Sequence, residues 1–538
     1  MSDEPYIGID LGTTYSAIAY IDAAGAPVVE KNAEDEDTTP SVILFDDNKK
    51  WIVGKIAKDQ AGMYEANRFF TTVKRQMGTN EKYQVDDDIF TPIELSSCIV
   101  SKLLNDFAEK HGTRPTKAVI TCPAYFGTAE RMATRQAGEA AGLKVVKVIN
   151  EPTAAAISYG FAEDSEKKTI LVYDLGGGTF DVTILEIDGN NYTALSTEGD
   201  KYLGGKDWDK CMSDLIVEQI SEAQGVDPSE IEDDPNALQQ LIFISENSKK
   251  TLSIKDSVKG TLQVGPTKGI FSVTREEFEA ATKGLVDKTL DFVDLALTNK
   301  KMTMDQIDAI VLVGGSSKMP AIEAAVKERY PNANVEKYEP DYAVTKGAAI
   351  YAKSHIDDRD EIIPVDDDPI VTIGSDRNGT GSATKNPKGG IVNILSKTFG
   401  LIVTVNSGNQ MISNLLFRNE RLPMSCTKTY DLAEDGQTDV LLQIYESTAN
   451  KPDNEKKSLI DPMEGVEVGQ FDIELPPNLR VDSDKPRVTF SANSEGVLTA
   501  ILECGGVIKD FQLKAECLLL EEEIEQTKVK MTSLMSNE

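Results

Sequence analysis

The residues best suited to chemistry in this sequence follow an apolar stretch near its beginning, YIGID at residues 6–10. Asp10 ends the stretch, and Gly12, Thr13 and Thr14 follow before a second apolar stretch begins. Glycines let backbone N–H groups approach phosphate oxygens, threonine hydroxyls add donors, and an aspartate at a strand end can hold a hydrated Mg²⁺ ion. Taken alone, the pattern fits a glycine turn with a solvated acid equally well.

A second copy of this pattern occurs at residues 169–188, TILVYDLGGGTFDVTILEID. Asp174 ends the apolar part, and a glycine turn, Thr179 and an alternating strand follow; Asp174 lies 164 positions after Asp10. Repetition at this scale predicts two similar lobes that present their tips to a ligand held between them. Two acids in one cleft repel each other unless a cation lies between them, so the pair predicts a nucleotide site with Mg²⁺.

Other nucleotide-binding designs are missing from the sequence. It contains no GxxxxGK[ST] P-loop, no HRD catalytic loop and no GxGxxG between a strand and a helix. A third glycine element, LVGGSSKMPAI, joins an apolar strand to a helix at Gly314 and Gly315, where it could pack against a nucleoside or an α-phosphate. Close packing of helix on strand explains this glycine pair equally well.

The composition sets further limits. A chain of 538 residues is expected to form three or four domain-sized units, and its formal charge of −33 opposes binding to nucleic acid or an anionic membrane surface. We expect a cytoplasmic protein, because the sequence has neither a basic-then-apolar leader nor a run of roughly 18 apolar residues. Six cysteines without a CxxC pair and only two histidines argue against a disulfide framework, a zinc site and a histidine-based triad.

Seven motifs between residues 6 and 352 together resemble the 70-kilodalton heat-shock (DnaK-like) chaperone family. In chain order they are GIDLGTTYSAIA, CPAYFGTAERMATRQAGEAAGL, VINEPTAAAISYG, YDLGGGTFDVTILE, LGGKDWD, LVGGSSKMPAI and PDYAVTKGAAIYA. The resemblance implies an α/β two-lobed actin-like ATPase domain, a linker with an extended loop, a β-sandwich peptide-binding domain and a short C-terminal helix. The corresponding ranges are 1–356, 357–398, 399–515 and 516–538.

In that family the tips hold the phosphates of ATP or ADP. The resemblance assigns this role to Gly12, Thr13, Thr14, Tyr15, Gly176, Gly177 and Gly178. Asp10 and Asp174 would hold hydrated Mg²⁺ and potassium ions, helped by Thr179 and Asp181.

The resemblance also implies a catalytic pair. Lys74, in TTVKRQMG, would help to position the attacking water, and Glu151, in INEP, would lie near that water. Hydrolysis then relies on positioning and charge neutralisation around the γ-phosphate, without a covalent intermediate. The implied catalytic residues are Asp10, Lys74, Glu151, Asp174 and Thr179.

The adenosine side of the site is implied by FISENSKKTLS and by the third glycine element. Its residues are Glu246, Lys249, Lys250, Ser253, Gly314, Gly315, Ser316, Lys318 and Asp341. Lys250 and Lys318 stand where the family usually has arginine. Ammonium stacks on a base less well than guanidinium, so we expect weaker nucleotide affinity. An amphipathic helix with a solvated basic edge is the alternative for FISENSKKTLS.

Pro123 and Arg131 match residues through which the family transmits nucleotide binding to the rest of the protein. Between them, Gly127 and Thr128 replace the usual Asn and Asp, and GDKYLGGKDWD departs from the family as well. The sequence therefore predicts an intact ATP site whose coupling to partners has diverged.

The region that joins the two domains also departs from the family. Residues 357–368 are acidic, and residues 374–390 are rich in Gly, Ser, Asn and Lys, which predicts a linker or exposed loop. The family has here a short leucine-rich segment that docks on the ATPase domain. Only the segments EIIPV (361–365) and PIVTI (369–373) resemble it in sequence. The proline in each argues against docking as a strand.

From Phe399 onward, short alternating segments predict a β-sandwich, although a generic binding module fits the same periodicity. The resemblance implies an apolar cleft for an extended client peptide, lined by Leu401, Tyr430, Ala433, Val440 and Leu442. The last stretch, AECLLLEEEIEQTKVKMTSLMSNE, suffices for about one helix. The family's lid is longer, so we expect a nearly lidless protein that releases peptide faster.

The function implied is that of an ATP-hydrolysing chaperone of the stress response, in which ATP favours an open cleft and hydrolysis a closed one. Unfolded clients, a J-domain co-chaperone and a nucleotide-exchange factor are the implied partners. Two alternatives stay open. The altered linker and short tail suit an ATP-binding regulator or scaffold dedicated to one partner. The shared ATPase core suits an actin-like filament or sugar kinase, against which the β-rich last third argues.

Overall fold

The computed structural model describes residues 5–60, 63–162, 167–225, 227–265, 267–356, 390–405, 408–447, 458–512 and 517–535. The two candidate docking segments, 361–365 and 369–373, lie outside these residues. Within the described ranges, no helix combines the length and the apolar character needed to cross a membrane.

The first lobe is built on a mixed sheet. Its elements are β1 (Ile7–Asp10), β2 (Tyr15–Ile21), β3 (Pro27–Glu30), β4 (Thr39–Pro40), β5 (Ile43–Phe45), β6 (Trp51–Val53), α1 (Lys55–Asp59), β7 (Phe69–Phe70), β8 (Tyr83–Val85), β9 (Asp88–Phe90), α2 (Pro92–His111), β10 (Lys117–Cys122), α3 (Thr128–Ala140) and β11 (Val145–Asn150). The sheet order is β11-β10-β1-β2-β3, and β4 pairs with β2. Because β1 is paired on both sides, Asp10 lies at the carboxyl end of a central strand.

The second lobe repeats this plan. Its elements are α4 (Glu151–Ala162), β12 (Lys168–Leu175), β13 (Phe180–Asp188), β14 (Asn191–Asp200), α5 (Gly205–Gln224), α6 (Pro228–Glu232), α7 (Pro235–Leu252), β15 (Ser257–Val264), β16 (Thr267–Thr274), α8 (Arg275–Lys300), β17 (Ala309–Val313), α9 (Pro320–Arg329), β18 (Val335–Lys337) and α10 (Ala343–His355). The sheet order is β18-β17-β12-β13-β14. β12 runs parallel to β17 and antiparallel to β13, as β1 does to β10 and β2. The duplication predicted from the two acidic tips is confirmed.

The last part of the chain forms a strand, a two-sheet sandwich and a helix. These are β19 (Gly390–Val392), β20 (Phe399–Thr404), β21 (Gln410–Leu416), β22 (Met424–Thr429), β23 (Asp439–Ser447), β24 (Leu459–Ile460), β25 (Gly465–Glu474), β26 (Arg487–Ala492), β27 (Leu498–Cys504), β28 (Val507–Gln512) and α11 (Glu521–Ser533). The sheets are β24-β21-β20-β23-β25 and β22-β26-β27-β28. Their inward side chains, such as Leu442, Ile444 and Phe490, form one buried core, as the alternating pattern predicts.

The strand β19 docks on the second lobe. It pairs in parallel with β14, so that Gly390 lies opposite Asn191 and Val392 opposite Thr193. The sheet of the second lobe thereby gains a sixth strand from the region predicted to be linker and loop. This docking segment was missed in the sequence, because it is short, lacks acidic flanks and has no leucine.

The helix α11 packs on the first lobe. The Trp51 indole N–H donates to the Met531 carbonyl at 2.8 Å, and the Lys530 ammonium lies 2.8 Å from the Glu94 carboxylate. Met531 is buried in the core of that lobe. Upstream, the Gln136 amide exchanges hydrogen bonds of 2.8 and 2.9 Å with the backbone of Leu519. The predicted short helix is present, and its contacts tie the end of the sandwich domain to α2 and α3.

Candidate nucleotide site

The two predicted tips lie against each other. A Cβ atom added to Gly177 would lie 2.0 Å from Thr14 Oγ1, and one added to Gly178 would lie 2.4 Å from Thr13 Cγ2. Such distances leave no space for any side chain at the two glycines. The structure thus brings the Gly and Thr residues of both tips to one place between the lobes.

Three carboxylates gather at this place. Burial raises the pKa of Asp10 to about 6; the charge of Glu151 adds to the shift, and the Thr121 hydroxyl, which donates to Asp10 at 2.9 Å, opposes it. Burial and nearby carboxylates also raise the pKa values of Asp174 and Asp181 well above the ordinary range. Burial and mutual repulsion therefore disfavour the charged forms of these carboxyl groups unless a cation lies among them.

The ammonium group of Lys74 lies close to these acidic side chains. Lys74, in the short 3₁₀ helix Val73–Gln76, forms a buried ion pair with Glu151 at the start of α4. Burial alone would lower the pKa of Lys74, but the charges of Glu151 and Asp10 outweigh it and raise the pKa. The charged form of Lys74 is therefore favoured by Glu151 and by Asp10 together.

The donor set fits a hydrated cation. Both carboxylate oxygens of Asp181 and the Thr14 hydroxyl are buried without a hydrogen-bond partner of good geometry, although the Tyr125 backbone slightly lowers the pKa of Asp181. Among the described residues, no group of three acidic, cysteine or histidine side chains is arranged to hold a metal ion directly. Buried oxygens without donors suit a cation that keeps much of its water, as Mg²⁺ does.

The predicted adenosine side is organised around Glu246 on α7. Its carboxylate accepts from the Tyr15 hydroxyl at 2.8 Å and lies 2.7 Å from the ammonium groups of Lys58 and Lys250. Burial opposes ionisation, but Lys250 and Lys58 hold the pKa of Glu246 far below its usual range. Since Lys58 belongs to α1 in the first lobe, this cluster closes the cleft between the lobes. Lys58 was missed because a lysine on a five-residue helix carries no local signal.

The other predicted adenosine residues lie nearby on the second lobe. The Lys249 ammonium is 2.7 Å from the Asp209 carboxylate and donates to the Gly205 carbonyl at 2.9 Å. A Cβ on Gly205 would lie 2.4 Å from Ser316 Oγ, which places Ser316 beside Lys249. Lys318 pairs with Asp341, the Ser253 hydroxyl donates to the Lys249 carbonyl, and Gly314 lies against Asp174.

Arg75 is a second link between the lobes that sequence reasoning missed. Its guanidinium donates to the Gly178 carbonyl at 3.0 and 2.7 Å and lies 3.4 Å from the Asp207 carboxylate. Arg75 follows Lys74 directly, so both positions of the KR pair serve this site. The only available signal was this adjacency.

A short chain of hydrogen bonds joins α3 and the residue directly before Glu151 to the linker. Arg131 on α3 donates to Asn150 Oδ1, and the Asn150 amide donates to Asn393 Oδ1 at 3.5 Å, one residue after β19. The Pro123 carbonyl accepts from the Phe126 backbone N–H at 3.2 Å, which shapes the loop between β10 and α3. Arg131 thus belongs to a hydrogen-bonded chain that reaches the residue after the docked strand, and Pro123 lies in the loop before α3; their transmitting roles stay predictions.

The sandwich meets the first lobe at a pair of acids. Glu130 on α3 and Glu446 on β23 both approach Gly127, and Lys397 lies 3.0 Å from Glu446. Burial raises the pKa of Glu130; Glu446 adds to the shift, whereas Lys397 and Lys201 oppose it. Docking of the sandwich therefore places a carboxyl group where its charged form is disfavoured.

This contact predicts a pH dependence. The pKa of Glu130 is raised when the sandwich is docked, so protonation of Glu130 favours docking over undocking. Docking should therefore weaken as the pH rises through that pKa. Glu130→Gln should strengthen docking at neutral pH and flatten its pH dependence, measured as the radius of gyration between pH 5 and 8. The exposed Glu109→Gln on α2 is the matched control. An unchanged pH profile for Glu130→Gln would contradict the assignment.

The predicted cleft residues fall into two groups. Leu401 and Leu442 are buried in the sandwich core, and Tyr430 and Val440 pack against it while remaining partly exposed. Ala433 lies exposed in the loop before β23, where its N–H donates to the Gln437 side chain at 2.9 Å. Four of the five thus share one cluster, and their role in binding stays a prediction.

The fold and site define a class of protein: a two-lobed actin-like ATPase joined to a β-sandwich with a short terminal helix. The sequence model described as "Hsp70 protein" matches residues 6–89 and 81–388. The chain is 36% identical over 505 residues to the chaperone protein DnaK of Thermosipho africanus, which covers 92% of this chain and 77% of the relative. It is 35% identical over 503 residues to the chaperone protein DnaK of Thermotoga maritima. This match covers 91% of this chain and 77% of the relative.

The chain therefore belongs to the Hsp70 family. Membership implies chaperone function, nucleotide and Mg²⁺ use and ATPase activity in general terms.

Proposed function

We propose that this protein is a cytoplasmic ATP-dependent chaperone that binds extended apolar segments of unfolded proteins and controls their exchange by ATP hydrolysis. The observation that carries the proposal is the hydrogen-bonded chain from Arg131 through Asn150 to Asn393, which joins the residue directly before Glu151 to the residue directly after the docked strand β19. Energetic coupling requires an element whose two arrangements both sites bias, and the docked linker is the element we propose for this role.

The chain's own residues divide the work of hydrolysis. The Gly and Thr backbone of the tips binds phosphate, Lys74 and Glu151 orient the attacking water, and the Glu246 cluster holds the adenosine side closed. Bound Mg²⁺ would neutralise phosphate charge, with Asp10, Asp174 and Asp181 holding its water and Thr179 assisting; K⁺ is the second proposed ion. Lys74 then lowers the repulsion between the phosphates and Glu151.

The proposal is tested by single-turnover ATP hydrolysis with and without an extended apolar peptide and a J-domain protein. We expect several-fold acceleration by both, and none in Lys74→Ala. A slow rate that responds to neither addition would contradict client cycling. It would instead favour a regulator dedicated to one partner. A nucleotide-exchange factor should accelerate release of ADP.

A further inference from the structure

A lysine stands at an inward-facing position of the sandwich. Along β22 and the residue that follows it, alternate side chains point toward the core: Met424, Cys426 and Tyr430 all pack against it. Lys428 occupies the same side of this run and is half-buried. An inward position of a sandwich normally holds an apolar residue, so this ammonium needs a specific explanation.

The ammonium is held by the neighbouring strand β21. Lys428 Nζ donates to the Asn414 carbonyl oxygen and lies 3.2 Å from Ser413 Oγ. The Tyr430 hydroxyl donates to the same Ser413 oxygen at 3.2 Å. Three polar side chains therefore meet at one point, and one of them, Tyr430, belongs to the predicted client cleft.

Donors outnumber acceptors at this point. The ammonium offers three N–H groups and the two hydroxyls one each, whereas the acceptors they meet among the described residues are the Asn414 carbonyl and the Ser413 hydroxyl oxygen. Within the described ranges, Lys428 forms no ion pair with a carboxylate, and the nearest titratable group acting on it is the Cys426 thiol. Burial lowers the pKa of Lys428, which shows that its charge is incompletely compensated.

We propose that Lys428, with Ser413 and Tyr430, forms a carboxylate-accepting end of the client cleft and selects peptides that place an Asp or Glu beside their apolar segment. This inference rests on the proposed function. A client carboxylate would supply the missing acceptor and the missing counter-charge together, through charge-assisted hydrogen bonds. The net charge of −33 repels acidic peptides in general, so the selection is local to this position.

The test compares labelled peptides that are identical except at one position, which carries Glu, Gln or Leu. The variable residue is moved stepwise along an apolar heptapeptide, and binding is followed by fluorescence anisotropy at low salt. At one position we expect Glu to bind about tenfold more tightly than Gln, as one charged hydrogen-bonded pair typically gives. Lys428→Met should abolish this difference and change affinity for the Leu peptide less than twofold.

Two further variants keep the test decisive. Lys485→Met removes an exposed lysine of the same domain that pairs with Asp431, and should leave the Glu preference intact. Tyr430→Phe removes one hydroxyl and should reduce the preference even if Lys428→Met fails to fold. Binding without a Glu preference, or a preference that survives Lys428→Met, overturns this inference alone. If no peptide binds the unaltered protein, the proposed function itself fails.

Discussion

Replacing Lys74 by alanine should slow ATP hydrolysis by about 100- to 1000-fold, the effect typical of removing one preorganised charged group from an active site. Lys74 is the cation that stands among Asp10, Asp174 and Glu151, and its ion pair with Glu151 is buried. In the proposed mechanism, the negative charge of Glu151 and the aspartates near the attacking water and the γ-phosphate would then no longer be offset. ATP binding should change far less, because the tips and the Glu246 cluster remain.

Loss of hydrolysis must be separated from loss of folding. Removing Lys74 leaves Glu151 as an unpaired buried charge, which costs about 3–5 kcal/mol of stability. The double variant Lys74→Ala/Glu151→Gln removes both charges and should recover much of the thermal stability without recovering hydrolysis. Single-turnover rates, ATP affinities and unfolding midpoints would be measured for each protein.

The matched control is Lys110→Ala. Lys110 lies near the end of α2, far more exposed than Lys74, and pairs with Glu30. The Lys110→Ala substitution should leave the single-turnover rate, the ATP affinity and the unfolding midpoint nearly unchanged, because surface ion pairs contribute at most about 1 kcal/mol. A Lys74→Ala rate within a few-fold of the unaltered protein would remove Lys74 from the catalytic set.

The acidic tips could be predicted because their signal is local. A strand, an acid, glycines and threonines within ten residues fix both the turn and its chemistry, and the second copy fixes the two-lobed plan. The alternating segments after Phe399 likewise predict strands, because each sandwich strand is buried on one face. These features need no knowledge of distant residues.

Other features depend on partners far along the chain. β19 is a strand only because the edge of β14 is there to pair with it. The position of α11 depends on Trp51, which lies 480 residues before Met531. Lys58 and Arg75 gain meaning only once the lobes face each other. Such residues carry no periodicity or motif of their own, so single-sequence reasoning cannot find them.

The second large effect is expected at the ion pair between the sandwich and the second lobe. Arg418, which follows β21, lies 2.6 Å from the buried Glu198 carboxylate on β14 and donates to the Thr197 carbonyl at 3.2 Å. The neighbouring Asn419 accepts from the Thr197 N–H at 3.2 Å. These contacts lie four to five residues further along β14 than its pairing with β19 at Asn191–Thr193, so sandwich and linker are held on the same strand.

Arg418→Ala should weaken docking of the sandwich by more than a hundredfold. Glu198 would stay buried after losing the guanidinium, with the Asn299 amide still donating to it at 2.6 Å, and breaking a buried ion pair by removing one partner costs about 3–5 kcal/mol. Undocking hydrates Glu198 and relieves this cost, so the loss appears in the docking equilibrium. Backbone hydrogen exchange at Gly390–Val392 should accelerate, and stimulation of ATP hydrolysis by peptide should disappear while basal hydrolysis persists.

Neutralising both partners separates the charge effect from simple loss of contact. Glu198→Gln/Arg418→Gln leaves no buried charge unpaired and should exchange more slowly at Gly390–Val392 than Arg418→Ala does. Arg487→Ala is the matched control, since Arg487 lies on the exposed side of the sandwich and pairs with Glu503. If Arg418→Ala leaves exchange at Gly390–Val392 unchanged, the ion pair does not hold the domains together. Strand pairing between β14 and β19 must then suffice for docking.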